Sequence, residues 1–114
     1  MELDELNTLV TDAIWRAEHL EGQDSGAELQ AWLEVSSIEE QLATAFPASE
    51  CQGGIARRGA VCAALKAGDL ARARLLAETY FSEPAAPESL KAELHEILEH
   101  GDYNDLRNHL QHSP

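Results

Sequence analysis

Aromatic side chains are scarce in this sequence, at 5% of residues, and lysine plus arginine number 8 against 21 aspartates and glutamates. The first shortage leaves leucine and alanine to build most of any core. The second gives a net charge of −13, the wrong sign for a nucleic-acid binder that gains affinity by displacing counterions from phosphates. An anionic membrane surface repels such a chain for the same reason. Long hydrophobic runs are absent as well. The longest, Ala60 to Leu65, falls far short of the roughly 20 apolar residues that span a bilayer. Cysteine is limited to Cys51 and Cys62, too few for a disulfide framework. One bridge between them stays open at this level. Met1-Glu2-Leu3-Asp4-Glu5 has neither the basic start nor the apolar stretch of a secretory signal. These features together predict a reduced, cytosolic protein that acts on neither nucleic acid nor membrane.

What is present is helix signal along a chain of 114 residues, the length of one domain. Leu3, Leu6, Val10, Ala13, Ala17 and Leu20 recur at spacings of three and four, the stripe of an amphipathic helix about five turns long. Gly22 stops it. Ser25 with Glu28 has the form of a capping box, and Ser37 with Glu40 repeats it. Residues 26–46 therefore read as one helix, or as two broken near Ser36, with the single helix favoured and Pro47 ending it. Residues 47–54, with the Gly53-Gly54 pair, read as a loop; no lysine and serine or threonine follow at the spacing of a phosphate-binding loop. A third helix from Ile55 to Ala67 is rich in small residues. Gly68 closes it and Asp69 caps a fourth, whose inner face is Leu70, Ala73, Leu76, Ala77, Tyr80 and Phe81. Pro84 and Pro87 bracket the next turn. Leu90, Leu94, Ile97 and Leu98 line a fifth helix, and Tyr103, Leu106 and Leu110 a short sixth. The fold class is all-α, a compact bundle of five to six helices in antiparallel hairpins. Within a single domain, 1–46 is an acidic hairpin, 47–54 a loop, and 55–112 two further hairpins.

Two segments echo each other. Leu65-Lys66-Ala67-Gly68-Asp69-Leu70 and Leu98-Glu99-His100-Gly101-Asp102-Tyr103 are offset by 33 residues, and Arg74 and Arg107 keep that offset. A period near 34 marks helical-hairpin arrays. With Ala73 and Ala77 in the second helix and Pro84 at its end, the segment from Ala64 to Pro84 resembles a tetratricopeptide repeat, and Gly101 to Leu106 resembles the start of another second helix. The resemblance covers the C-terminal half. It departs from the family where Arg57 and Ala64 stand in place of its large aromatics. It implies protein–protein binding in a groove between helices.

Charge is unevenly spread. Residues 1–50 carry 12 acids and one base, Arg16. Residues 51–82 carry Arg57, Arg58, Lys66, Arg72 and Arg74 against Asp69 and Glu78. Residues 83–114 return to seven acids against Lys91 and Arg107. The basic middle is expected to pack beside the acidic arms and neutralise them in part. The surplus acid is expected to steer a basic partner protein. Candidate contacts are Asp12, Glu18, Glu28, Glu34, Glu39 and Glu40, with Trp15 or Trp32 as an aromatic anchor and the core favoured for Trp32. This predicts a non-catalytic binder that neutralises or escorts a basic protein, of the immunity-protein or inhibitor kind. The alternative suggested by the repeat is an adaptor that holds an acidic peptide on Arg57, Arg58, Lys66, Arg72 and Arg74. The apolar stripes also admit a second copy of the chain as partner.

Catalytic chemistry has little support. His95-Glu96-Ile97-Leu98-Glu99-His100 is one residue longer than the His-Glu-x-x-His zinc motif, which turns its two imidazoles about 140° apart on a helix. His109 and His112, three apart, sit in the last turn of the sequence. A metal-binding protein or enzyme using His100, His109 and a carboxylate is the remaining alternative. Cys62 reads as a small core residue, and Cys51, beside Glu50, as a poor nucleophile. The expectation is a protein that is not an enzyme and carries no cofactor or metal.

Overall fold

The computed structural model describes residues 3–99, and all regular structure in that range is helical. Helix α1 spans Leu3–His19, α2 Ser25–Ala45, α3 Cys51–Lys66 and α4 Leu70–Phe81. A fifth helix, α5, begins at residue 88 and continues to the end of the described range at 99. The sixth helix expected around Tyr103, and with it Gly101, Asp102, Arg107 and the histidines at 100, 109 and 112, lie outside the described residues. Within the described range no helix is long and apolar enough to cross a membrane.

The stripe of α1 folds as its spacing dictates: Leu6, Val10, Ala13 and Ala17 are buried against α2. Asp4 and Glu5 in the first turn, with Arg16 and His19 in the last, complement the helix dipole. Gly22 then takes a positive φ of 76°, a conformation that costs glycine little and other residues more.

Helix α2 is one unbroken helix. Its N-cap is Asp24, whose carboxylate accepts a hydrogen bond from the Ala27 amide at 3.1 Å, so Ser25 is the first helical residue and not the cap. Ser37 caps nothing, being mid-helix. The helix buries two faces at once, with Ala31, Trp32, Val35, Ile38, Leu42 and Ala43 all inside, because α1 packs on one side of it and α3 on the other. Buried Ser36 donates its hydroxyl to the Ala60 carbonyl of α3 at 2.8 Å, which satisfies a polar group that would be costly to leave unpaired.

Helix α3 begins at Cys51, four residues before the expected start, so Gly53 and Gly54 are not a loop but the buried first turn of a helix. The reason is steric. A Cβ on Gly53 would fall on the Pro47 carbonyl, and one on Gly54 would meet the Arg58 guanidinium and the Leu90 side chain. The doublet lets neighbouring chain press close. Ala56, Ala60, Val61, Ala63 and Ala64 continue this closely packed surface, which α2 and α4 cover. Cys51 and Cys62 are both free thiols. Eleven residues of one helix separate them by about 16 Å, beyond the reach of a disulfide.

The turn into α4 is a Schellman motif: Asp69 N–H donates to the Ala64 carbonyl and Gly68 N–H to the Leu65 carbonyl, each at 2.9 Å, with Gly68 at φ 76°. Asp69 then caps α4 by accepting from the Arg72 amide at 3.0 Å. Helix α5 returns onto α3, with Leu94 fully buried and the Arg58 guanidinium 3.2 Å from Glu93. Its His95 ring stacks on Phe81. Close backbone approach among α1 to α4 is confined to successive helices. The short connections make these neighbours antiparallel, and the chain forms a sequential stack in which the acidic first hairpin and the rest share one core.

Candidate functional site

Two surfaces emerge, one acidic and one a groove of mixed charge. On α1, Asp12, Trp15 and Glu18 follow one another at three-residue steps and are all exposed. Steps of three keep side chains adjacent along a helix. Trp15 is 63% exposed and stacks one ring face on His19 at a centroid distance of 4.9 Å. Among the described residues neither Asp12 nor Glu18 has a cationic partner.

The other acids expected in this surface are placed differently. Glu28 is half-buried in the first turn of α2, where the helix dipole favours it. Glu34 pairs with Arg16 at 3.0 Å and ties α2 to α1. Glu40 pairs with Arg72 at 2.8 Å. Glu39 is buried and therefore no surface contact: its carboxyl lies over Gly59 of α3, which has no side chain to exclude it. Burial pushes the Glu39 carboxyl up from 4.5 to about 7. Trp32 is core, with the Lys66 ammonium 4.3 Å from the centre of its ring.

Much of the basic middle is engaged by partners within the fold. Arg57 is buried, and its guanidinium grips Glu83 with two nitrogens at 2.7 and 2.8 Å. A third nitrogen donates to the carbonyls of Phe46 and Gly53 at 2.9 and 3.0 Å. This ties the end of α2, the start of α3 and the end of α4 to one cation. Arg72 donates Nε to the Ser36 hydroxyl at 3.0 Å and Nη2 to Glu40. Arg58 is held by Glu93, and Lys66 lies over Trp32; Lys66 and Arg74 are both exposed and have no acid partner among the described residues. Of these five side chains, Arg57 is buried and Arg57, Arg58 and Arg72 are paired with glutamates of the fold.

Between α2 and α4 the paired charges frame a groove of about 550 Å³. Glu40, Arg72, Arg57 and Glu83 are on its walls, with Ala43, Leu75, Leu76 and Tyr80. Tyr80 is 5% exposed, and its hydroxyl has no hydrogen-bond partner among the described residues. Burial first, then the Glu40 and Glu83 carboxylates against the two arginines, pushes this phenol up to about 12. It therefore stays protonated at neutral pH. Sequence reading placed Tyr80 in the core and passed over Ser36 and Glu83. Ser36 had one visible signal, a small hydroxyl amid the apolar positions of α2. Glu83 had none, because it meets Arg57 across 26 residues of chain.

Other chemistry is thinly supplied. Burial pushes the Cys62 thiol up, against the opposing charges of Lys66 and Arg58, so little of it is thiolate at neutral pH. The described residues hold no group of three or more histidine, cysteine or acidic side chains placed to hold a metal ion. No protein-family model, curated protein or solved structure matches this chain.

Proposed function

We propose that this protein is a non-catalytic binding module whose acidic N-terminal hairpin docks a basic partner protein, in the manner of an immunity protein or an inhibitor. The observation that carries this reading is the outer row of α1: a tryptophan largely in water, flanked at three-residue steps by two carboxylates that no cation of the described fold neutralises. Carboxylates left over after internal pairing raise the rate at which a basic surface arrives. A protruding tryptophan supplies the buried contact that holds it.

The test is capture from the source organism's lysate at low salt, followed by a salt gradient, with wild type and variants compared in parallel. Wild type should retain a basic protein that salt releases. Trp15→Ala should weaken retention by about 30-fold, as for a central aromatic anchor, and Asp12→Lys with Glu18→Lys should abolish it. Arg74→Glu should change nothing. Retention indifferent to the α1 variants, or lost in Arg74→Glu, overturns the proposal; the second result favours an adaptor for acidic peptides.

A further inference from the structure

The groove between α2 and α4 is separate from the α1 surface and holds one buried donor without an acceptor among the described residues, the Tyr80 hydroxyl, with a solvent-accessible arginine on the same helix. Arg72, Leu76 and Tyr80 stand four residues apart, so α4 presents them as one line along the groove. The Tyr80 hydroxyl is buried and unpaired among the described residues. Folded proteins leave few such groups, because the lost hydration is not recovered. Tyr80 lines this groove together with all four of its charged residues, Glu40, Arg57, Glu83 and Arg72. Arg72 uses Nε and Nη2 on Ser36 and Glu40, while its Nη1 donates to no acceptor among the described residues. Arg57, by contrast, has its acceptors. The unmet demand in the groove is therefore for an acceptor at Tyr80, Arg72 Nη1 is left free to donate to the same acceptor, and the apolar residues beside them are Ala43, Leu75 and Leu76.

We propose that this groove binds a carboxylate carrying an apolar body, with the carboxylate accepting from the Tyr80 hydroxyl and from Arg72. A guanidinium fork matches a carboxylate geometrically, and the apolar body covers Ala43, Leu75 and Leu76. The hydroxyl is covered, so a groove-wall side chain has to move before the ligand reaches it, and in the proposed complex that movement falls to the Arg72–Glu40 pair. That pair opens readily because Glu40 is 47% exposed, and exposed ion pairs contribute little. The carboxylate belongs either to a small free acid or to the C-terminus of a peptide.

Both sources are tested by titrating the full chain with hexanoate, with N-acetyl-leucyl-leucine and with the amide of that peptide, following backbone amide shifts and binding heat. The expected result is saturable shifts centred on residues 40–44 and 72–83 with at least one of the two carboxylates, and binding of the amide about tenfold weaker or less. Hexanoate binding as well as the peptide identifies a free acid as the source; peptide binding alone identifies a chain terminus. Tyr80→Phe keeps the ring, so its melting temperature should equal or exceed that of wild type, while carboxylate affinity falls about threefold to tenfold. Leu75→Glu, at an exposed wall position, should abolish binding by repulsion. The proposal is overturned if neither carboxylate shifts these residues, if the amide binds as well as the acid, or if both variants bind as wild type does. A lower melting temperature for Tyr80→Phe also overturns it, because the hydroxyl would then already have a partner.

Discussion

Glu39 and Glu40 are neighbours in sequence and opposites in environment. A helix turns 100° per residue, so Glu40 reaches Arg72 while Glu39 turns onto α3, in a small cavity lined by Asn7, Val10, Leu42, Phe46, Gln52, Ile55 and Ala56. With a folded pKa of about 7 against 4.5 for the free side chain, the Glu39 carboxyl is protonated in both states at low pH and costs the fold nothing there. As pH rises from about 4.5 the unfolded chain ionises first. The penalty grows until the folded pKa is passed and is then fully present. Thermal melts of wild type and Glu39→Gln should nearly coincide in relative stability at pH 4, with the variant on the order of 1–2 kcal/mol more stable at pH 8. Parallel curves across that range would rule the mechanism out. The burial of Glu39 was partly legible, since Val35, Glu39, Leu42 and Phe46 keep the four-three-four spacing of an inward stripe. What the sequence hides is the empty side of Gly59 that receives the carboxyl. The same blindness covers Arg57, Glu83 and Arg72, whose partners lie far along the chain, so two members of an apparent basic patch turn out to be internal clamps.

Helices were easier to read than sites, because their signals are local. The stripe of α1, the stops at Gly22 and Gly68 and the cap at Asp69 all appear where spacing and turn chemistry put them. The misplaced start of α3 has a specific cause. A glycine pair signals backbone freedom to a sequence reader, whereas here its value is the missing side chain beneath Pro47. Gly53→Ala separates these two meanings. Helix propensity alone would make alanine more stable by about 1 kcal/mol. The close approach instead predicts a net loss of about 1–3 kcal/mol from overpacking, read as a lower denaturant midpoint with an unchanged slope. A stabilised variant would show that the first turn of α3 has room to spare.

Across the whole molecule, charge sets a cost that pairing relieves only in part. Arg16, Arg57, Arg58, Arg72 and Lys91 each hold a glutamate, and a net charge of −13 remains. Self-repulsion of that size weakens a compact state and is screened by salt. Sodium chloride at about 0.5 M should therefore raise the melting temperature, by roughly 3 °C or more in a domain of this size; a fall would mean that the internal pairs outweigh the repulsion. The uneven charge distribution was plain in the sequence, and so was the all-helical class. The 33-residue echo carries its second Gly-Asp pair past residue 99, outside the described residues. The sequential stack has a consequence for the birth of the chain. Each of α1 to α3 finds its close backbone neighbour in the next helix to emerge from the ribosome, and the most distant of the side-chain hydrogen bonds, Arg72 to Ser36, spans 36 residues. Synthesis and assembly can thus proceed in the same direction and nearly in step, with little long-range loop closure to slow them.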